Sequence, residues 1–263
     1  MRAEPLRVGI LGAGRIGCRI AERLGEGALL GALLCRPAQQ DALGARFGAG
    51  IVCTDLDGFL ARAPGVVAEC ASAGLLATAA PRLLAAGIDV IPLSLAAFAD
   101  PATEAALLSA AEAGPGRIEI PAGAMASLGF LAAAREDALA DVHLTVRYPP
   151  ARLRGTPGEA GGIAAPRVVF SGTVRQAAAL FPRHLNVSVG VALAGLGLDR
   201  TRFTLVADPG ITQAAFLVEA QAGPGAVRLA VEGRGNPVED DPVDYTTFSV
   251  LRLLRRRTAA VMI

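Results

Sequence analysis

The chain contains no lysine and no tryptophan, and its only histidines are His143 and His184. All 25 basic side chains are therefore arginines, which excludes catalysis through a lysine Schiff base. The four cysteines stand singly, without a CxxC pair or accompanying histidines, so the spacing indicates neither a zinc site nor a disulfide framework. We expect no metal site and four reduced thiols.

Charge and hydropathy exclude further classes of protein. The formal net charge of +1 gives no electrostatic reason to expect nucleic acid or an anionic membrane surface. Hydrophobic residues make up 52% of the chain, but the excess is mostly alanine, and the longest apolar run, residues 187–198, is too short to cross a bilayer. The N-terminus enters a strand pattern without the apolar segment of a secretory signal. We expect a cytoplasmic protein with a small-molecule partner, binding neither nucleic acid nor membrane.

The hydrophobic pattern predicts an α/β protein with two kinds of sheet. In the first half, apolar strand patterns alternate with segments of helical spacing, which indicates crossover connections and a doubly wound parallel sheet of Rossmann type. Its predicted strands are LRVGIL, LLGALLC, VVAECA, IDVIPLS and RIEIP, the last ending near Pro121. From about residue 142 the predicted strands are VHLTVRY, PRVVF, RFTLVA, QAAFLVEAQA and VRLAVEG, with helices near 173–181 and 187–198. This second part is predicted to be a smaller α/β domain with a mixed sheet, and a C-terminal helix is predicted in YTTFSVLRLLRRR.

The most informative local motif is GILGAGRIGCRI, which contains GxGxxG directly after the first predicted strand and at the start of a helix. Gly12 permits a tight turn, Gly14 lets the backbone approach a pyrophosphate, and Gly17 allows close packing of helix on strand. The free N–H groups of the helix start attract phosphates. We predict a dinucleotide site that includes Arg15 and Ile16; a tight structural turn is the alternative.

The end of the second predicted strand indicates which dinucleotide is preferred. NAD sites place an acidic side chain there to bind the ribose hydroxyls. Here the strand ends LLCRPAQQ, with Arg36 and no carboxylate before Asp41. Arg36 suits a 2′-phosphate or stacking on adenine, so we expect NADP to be preferred over NAD. A solvated arginine at a strand end is the alternative.

Over nearly its whole length the chain resembles the L-aspartate dehydrogenase family. The motifs, in the family's order, are GILGAGRIG, VVAECAS, LLAAGIDVIPLS, IPAGAMASL, FSGTVRQAAALFPRHLNVSVGVALAGLGLDRT and VADPGIT. The resemblance implies an NAD(P)-dependent enzyme that interconverts L-aspartate and iminoaspartate, the latter in equilibrium with oxaloacetate and ammonia. It also implies a homodimer. It implies a Rossmann domain over 1–121, a substrate and dimerisation domain over 122–240, and a C-terminal helix over 241–263 that packs back on the first domain. By motif it also implies cofactor contacts at Ala124 and Asn186.

The chain departs from the family at the substrate side. The family places a catalytic histidine where this chain has Phe216, in QAAFLVEA, and phenylalanine cannot transfer protons. The family's asparagine two residues before Asn186 is replaced by His184, and Ser127 and Gly129 stand where glycine and aspartate are usual. Because the cofactor motif is intact, these changes put substrate and mechanism in question more than fold.

The nicotinamide of the cofactor transfers the hydride. The protein must therefore hold the substrate and supply or accept one proton. His184 is our candidate for the residue that donates or accepts this proton. The alternative is that it packs at the start of a helix. Arg183 is a candidate carboxylate clamp, as are Arg147 and Arg152. Phe216 is expected to line the substrate pocket, and Asp208 either orients a substrate ammonium or opens an Asp-Pro turn.

Three functions fit these observations. The first is an oxidoreductase of aspartate-dehydrogenase type, with either aspartate or a shifted substrate. The second is a cofactor-binding pseudoenzyme or regulator, which the missing histidine favours. The third is a related Rossmann reductase on the plan of homoserine dehydrogenase or dihydrodipicolinate reductase.

Overall fold

The computed structural model describes residues 4–123, 125, 127–137, 139–182, 185–223, 225–233 and 245–261. The chain forms two compact units. The first comprises residues 1–97, 101–123 and 245–263, and the second comprises 98–100 and 124–244.

The first unit is built on a parallel sheet of five strands. The strands are β1 (Leu6–Leu11), β2 (Ala28–Leu34), β3 (Val52–Cys53), β4 (Val66–Glu69) and β5 (Asp89–Pro92), in the order β3-β2-β1-β4-β5. Its helices are α1 (Arg15–Glu22), α2 (Gln40–Phe47), α3 (Leu56–Leu60), α4 (Ala73–Ala85), α5 (Pro101–Ala113) and the C-terminal α9 (Tyr245–Arg256). The strand order reverses between β1 and β4, which in open α/β sheets is where ligands bind.

The C-terminal helix α9 belongs to the core of this first unit. Its apolar residues pack in one cluster with Val8 and Ile10 of β1 and Ile20 of α1; they are Val250, Leu251, Leu253 and Leu254. Burying a side chain of this size stabilises a fold by about 1.5–3 kcal/mol. Just beyond the helix, Arg257 forms ion pairs with Asp89 at 2.5 Å and Glu119 at 2.8 Å.

The second unit is built on a mixed sheet. Its strands are β6 (Leu139–Tyr148), β7 (Arg167–Thr173), β8 (Arg202–Ala207), β9 (Ala215–Ala222) and β10 (Gly225–Glu232), in the order β10-β9-β6-β8-β7. The β6 and β8 strands are parallel and the other neighbours are antiparallel. Its helices are α6 (Leu128–Ala134), α7 (Val174–Leu180) and α8 (Asn186–Ala194). Alternate residues of β6 are fully buried, as expected for a sheet with one covered face.

The predicted fold class is confirmed: a parallel Rossmann-type sheet is joined to a smaller α/β unit with a mixed sheet. Two local predictions were wrong, and two short elements, β3 and α6, were not predicted. The predicted strand RIEIP is reduced to a single bridge between Ile118 and Val90. The predicted helix over 187–198 ends at Ala194, because Gly195 and Gly197 follow it. Helix α6 was not predicted, since its alanine-rich sequence has no polar face to show periodicity.

Candidate active site

The turn between β1 and α1 has the geometry of a phosphate-binding loop. Gly12 has φ +101°, and a Cβ there would lie 2.9 Å from the Cα of Ala71. A Cβ on Gly17 would lie 2.0 Å from the carbonyl oxygen of Gly12, so the third glycine is required for helix and strand to approach. A Cβ on Gly14, in contrast, would meet nothing within 4 Å. Open space therefore lies beside the helix start, where a pyrophosphate would approach the backbone.

Helix α1 begins without a side-chain cap. Its N-cap residue is Gly14, which has no side chain to accept from the first free N–H groups, and no acidic residue lies in the first turn. Arg15 and Ile16 are the first two helical residues. The positive end of a helix that has no side-chain cap suits an anionic ligand. These residues fit the dinucleotide that the sequence predicts.

A cavity of about 450 Å³ opens beside this turn in the first unit. Its lining residues come from the carboxyl ends of β1, β2, β3 and β4; they are Gly12, Ala13, Gly14, Leu34, Cys35, Arg36, Gln39, Thr54, Cys70, Ala71, Ser72 and Leu75. Its volume is in the range of small-molecule sites. None of the described residues that line it is acidic, so the ribose-binding carboxylate of NAD-selective sites is missing there.

Arg36 stands at the rim of this cavity, exposed to solvent. Gln39 orients it: Gln39 Oε1 accepts from the backbone N–H and from Nε of Arg36, both at 3.3 Å. The pairing fixes one side of the guanidinium and leaves its terminal nitrogens for a ligand. Gln39 was not singled out in the sequence, although its spacing of three residues from Arg36 is that of a capping box.

In the second unit, Arg147 lies at the carboxyl end of β6 and Arg152 follows that strand. Arg147 forms an ion pair with Asp208, whose side chain is only 1% exposed. Asp208 Oδ1 also accepts from the backbone N–H of Gly210 at 2.8 Å, and the Asp208 N–H donates to the carbonyl of Tyr148 at 2.9 Å. Asp208 therefore both opens the Asp-Pro turn and fixes Arg147, and its carboxylate is already engaged.

Phe216 lies on the neighbouring strand, opposite Val146 of β6. Its ring meets the ring of Tyr148 edge-on, with centroids 6.5 Å apart and planes at 89°. Arg152 places its guanidinium 4.6 Å from the Tyr148 centroid. Burial raises the pKa of the Tyr148 hydroxyl, and the charge of Arg152 opposes that rise. Tyr148 was missed in the sequence because one tyrosine at the end of an alternating strand gives no separate signal.

The other predicted site residues are distributed as follows. Asn186 is exposed and is the first residue of α8. Ala124, Arg183 and His184 lie outside the described residues. The chain's other histidine, His143, was not a predicted site residue. It is a half-buried strand residue whose Nε2 lies 2.9 Å from Thr204 Oγ1, and burial lowers its pKa. Within the described residues there is no group of histidine, cysteine and acidic side chains that could hold a metal ion.

Two family models together match most of the chain. Residues 12–121 match the homoserine dehydrogenase NAD binding domain, and residues 130–257 match the C-terminal domain of aspartate dehydrogenase. No helix within the described segments is long and apolar enough to span a membrane.

Named relatives agree with these matches. L-aspartate dehydrogenase of Ruegeria pomeroyi is 36% identical over 262 residues, which cover 98% of this chain and 94% of that protein. L-aspartate dehydrogenase 1 of Bordetella pertussis is 39% identical over 212 residues, 79% of each chain. The crystal structure of aspartate dehydrogenase from Thermotoga maritima has the same fold, with a TM-score of 0.78 at 24% identity, over 98% of this chain and 99% of that one.

Proposed function

We infer the chemistry of this protein from the premise that its chain belongs to the L-aspartate dehydrogenase family. It is an NAD(P)-dependent oxidoreductase of the aspartate-dehydrogenase type, which acts on CH–NH2 groups. The cofactor supplies the hydride, and the chain must bind it, hold the substrate and manage one proton. What we propose is the cofactor preference, the residues in each role and the class of substrate.

We propose that the dinucleotide lies along the carboxyl ends of β1, β2 and β4. Gly12, Gly14 and Gly17 form the turn for the pyrophosphate, and the backbone N–H groups at the start of α1, at Arg15 and Ile16, donate to it. Arg36 takes the 2′-phosphate. Ala124 and Asn186 are assigned to the cofactor by the family resemblance alone.

The NADPH preference can be tested at Arg36. Replacing it by aspartate removes a charge-assisted partner of the 2′-phosphate and supplies a ribose acceptor, so Arg36→Asp should weaken NADPH binding by roughly tenfold or more and reverse the ranking of NADPH and NADH. The measurement is a fluorescence titration of each cofactor. Arg46→Asp makes the same charge change on α2, away from the cavity lining, and should leave the ranking intact. Tighter binding of NADH by the unmodified protein would mean that Arg36 has another role.

We propose that the substrate is a carboxylate-bearing amine or oxo compound less polar than aspartate. Arg152, stacked on Tyr148, offers a planar fork for a carboxylate, and Arg183 is a second candidate. Arg147 alternates with Tyr148 along β6 and therefore lies on the opposite face of the sheet, where it pairs with Asp208. The observation that carries the proposal is the Phe216–Tyr148 contact at the position of the family's catalytic histidine. A phenyl ring there offers no hydrogen bond, and a buried polar substrate group left without a partner costs about 1–3 kcal/mol.

Restoring the imidazole tests this substrate shift. Phe216→His should raise kcat/KM for aspartate by roughly tenfold or more and lower it for the best apolar substrate, because a positioned imidazole supplies both a hydrogen bond and a proton route. Steady-state kinetics with both substrates gives the result. Phe216→Leu is the control, since it removes the ring without adding an imidazole and should bring no gain. Unmodified protein that oxidises aspartate as efficiently as any apolar amine would contradict the proposal.

The activity itself is tested by following NADPH absorbance with oxaloacetate plus ammonia, then with a panel of oxo acids and ketones with amines. Turnover with any member that depends on ammonia or an amine supports the amine chemistry. Tight NADPH binding without turnover on the whole panel would favour the regulator instead. Turnover without an amine would favour a reductase of the homoserine dehydrogenase or dihydrodipicolinate reductase plan.

We also propose a cytoplasmic homodimer that binds a small molecule and no nucleic acid. One face of the mixed sheet carries the buried side chains of β6, and the other carries polar side chains joined across strands, including His143 to Thr204 and Arg202 to Asp141. This second face suits contact with a second copy of the chain. Light scattering after size-exclusion chromatography should give the mass of two chains.

A further inference from the structure

Glu69, the last residue of β4, is completely buried. Its carboxylate accepts four hydrogen bonds. Oε1 accepts from the N–H groups of Ala71 at 2.7 Å and Ser72 at 3.0 Å and from the Ser94 hydroxyl at 2.9 Å, and Oε2 accepts from the Ser94 N–H at 3.0 Å. All four donors are neutral. Among the described residues no arginine forms an ion pair with Glu69.

These bonds tie together two turns beside the cofactor cavity. Ala71 and Ser72 belong to the turn after β4 and line that cavity, and Ser94 follows β5. The Ala71 backbone lies directly against Gly12 of the phosphate-binding turn. Glu69 therefore fixes the position of the wall that faces the dinucleotide.

A buried carboxylate without a counter-ion is a costly way to join two turns. Burial raises the pKa of Glu69, and only the four hydrogen bonds work in the opposite direction. A neutral side chain with a single acceptor oxygen would satisfy three of these donors, since three of the four bonds converge on Oε1. Because burying this charge is costly, we infer that the negative charge of Glu69 has a function beyond joining the two turns.

The strand order indicates which part of the dinucleotide lies near the Glu69 carboxylate. The adenosine end of a dinucleotide belongs at the end of β2, where Arg36 and Gln39 lie, and the pyrophosphate belongs at the glycine turn. The nicotinamide end is then directed toward the carboxyl ends of β4 and β5, which Glu69 joins. The oxidised nicotinamide ring carries a positive charge that the reduced ring lacks.

We propose that Glu69 is a positioning residue whose carboxylate stabilises the oxidised cofactor relative to the reduced one. The carboxylate acts from within the fold, where it holds the turn after β4 and the residue Ser94 after β5. The inference rests on the proposed cofactor site. It assigns to Glu69 a selectivity between redox states that no residue of the glycine turn supplies.

The test is the ratio of two dissociation constants, measured by calorimetric titration at neutral and at alkaline pH, because burial raises the pKa of Glu69 and a higher pH favours its ionised form. Glu69→Gln should weaken NADP⁺ binding by roughly three- to tenfold more than NADPH binding, because only the oxidised ring loses a Coulombic partner. Glu69→Asp keeps the charge while shortening its reach, so it should weaken both forms together and preserve the ratio. Glu22→Gln removes an exposed carboxylate at the far end of α1 and should change neither constant.

The outcomes separate the alternatives. Equal weakening of both forms by Glu69→Gln would mean that Glu69 only holds the turns, and would overturn the proposal. A ratio altered threefold or more by Glu69→Asp would also overturn it, whether or not the glutamine variant folds. Failure of the unmodified protein to bind either form would overturn the proposed cofactor site instead.

Discussion

Gly17→Ala should abolish measurable binding of NADPH, with a loss of affinity of at least about 100-fold. The added Cβ would sit 2.0 Å from the carbonyl oxygen of Gly12, and that oxygen belongs to backbone that cannot swing aside as a flexible side chain would. Helix α1 must then move away from β1, and its N–H groups leave the position in which they meet the pyrophosphate. A fluorescence titration of NADPH measures the loss.

Two other glycine substitutions serve as controls for the steric effect at Gly17. Gly44→Ala, on α2, adds a Cβ that meets only ordinary van der Waals contacts, the nearest at 3.5 Å, and should leave NADPH binding unchanged. Gly14→Ala adds a Cβ into open space, so it should leave thermal stability nearly unchanged. It should still weaken NADPH binding, because the Cβ occupies the space through which the pyrophosphate approaches the backbone. Near-normal NADPH affinity in Gly17→Ala would show that helix and strand need not approach as closely as the structure has them.

The glycine motif and the strand pattern could be read from the sequence because each depends on local order along the chain. GxGxxG directly after an apolar strand fixes a turn and a helix start within a few residues. The alternation of strands and helices likewise predicts a parallel sheet without any knowledge of long-range contacts. These are the parts of the fold that the structure confirms.

The contacts at the site could not be predicted in the same way because they join residues that are distant in sequence. Glu69 and Ser94 meet only because β4 and β5 are neighbours in the sheet. Tyr148 and Phe216 meet through the pairing of β6 with β9. Asp208 left two interpretations open until its partner Arg147 was known. A pattern of residue types predicts strands, but the partner of each side chain follows from register.

The surroundings of Phe216 likewise could not be predicted from the sequence. The family resemblance implies that an imidazole is missing at this position, and the structure has an aromatic pair there, with Arg152 stacked on the Tyr148 ring. Such a cluster stabilises the sheet and presents one cation, Arg152, at its edge, but neither ring of the pair carries a proton that titrates near neutrality. If the enzyme uses a general acid, it must come from elsewhere in the chain.

His184→Asn should therefore lower turnover by about 10²–10⁴-fold, the usual contribution of a general acid or base. His184 lies two residues before Asn186, in the segment that the family resemblance assigns to the cofactor, and asparagine is the family's own residue there. An imidazole exchanges a proton near neutral pH without a large pKa shift. NADPH affinity should stay nearly unchanged, because the loss is confined to proton transfer, and the neutral-range limb of the pH–rate profile should disappear.

The second histidine provides the matched control for this last prediction. His143→Asn removes the other imidazole of the chain, which bonds Thr204 within the mixed sheet, and asparagine can keep a hydrogen bond there. Its turnover should stay within a few-fold of the unmodified enzyme. If His184→Asn behaves like His143→Asn, His184 is a packing residue at the helix start. The proton then travels through water or the substrate's own amine, and aspartate-dehydrogenase chemistry proceeds in this chain without an imidazole.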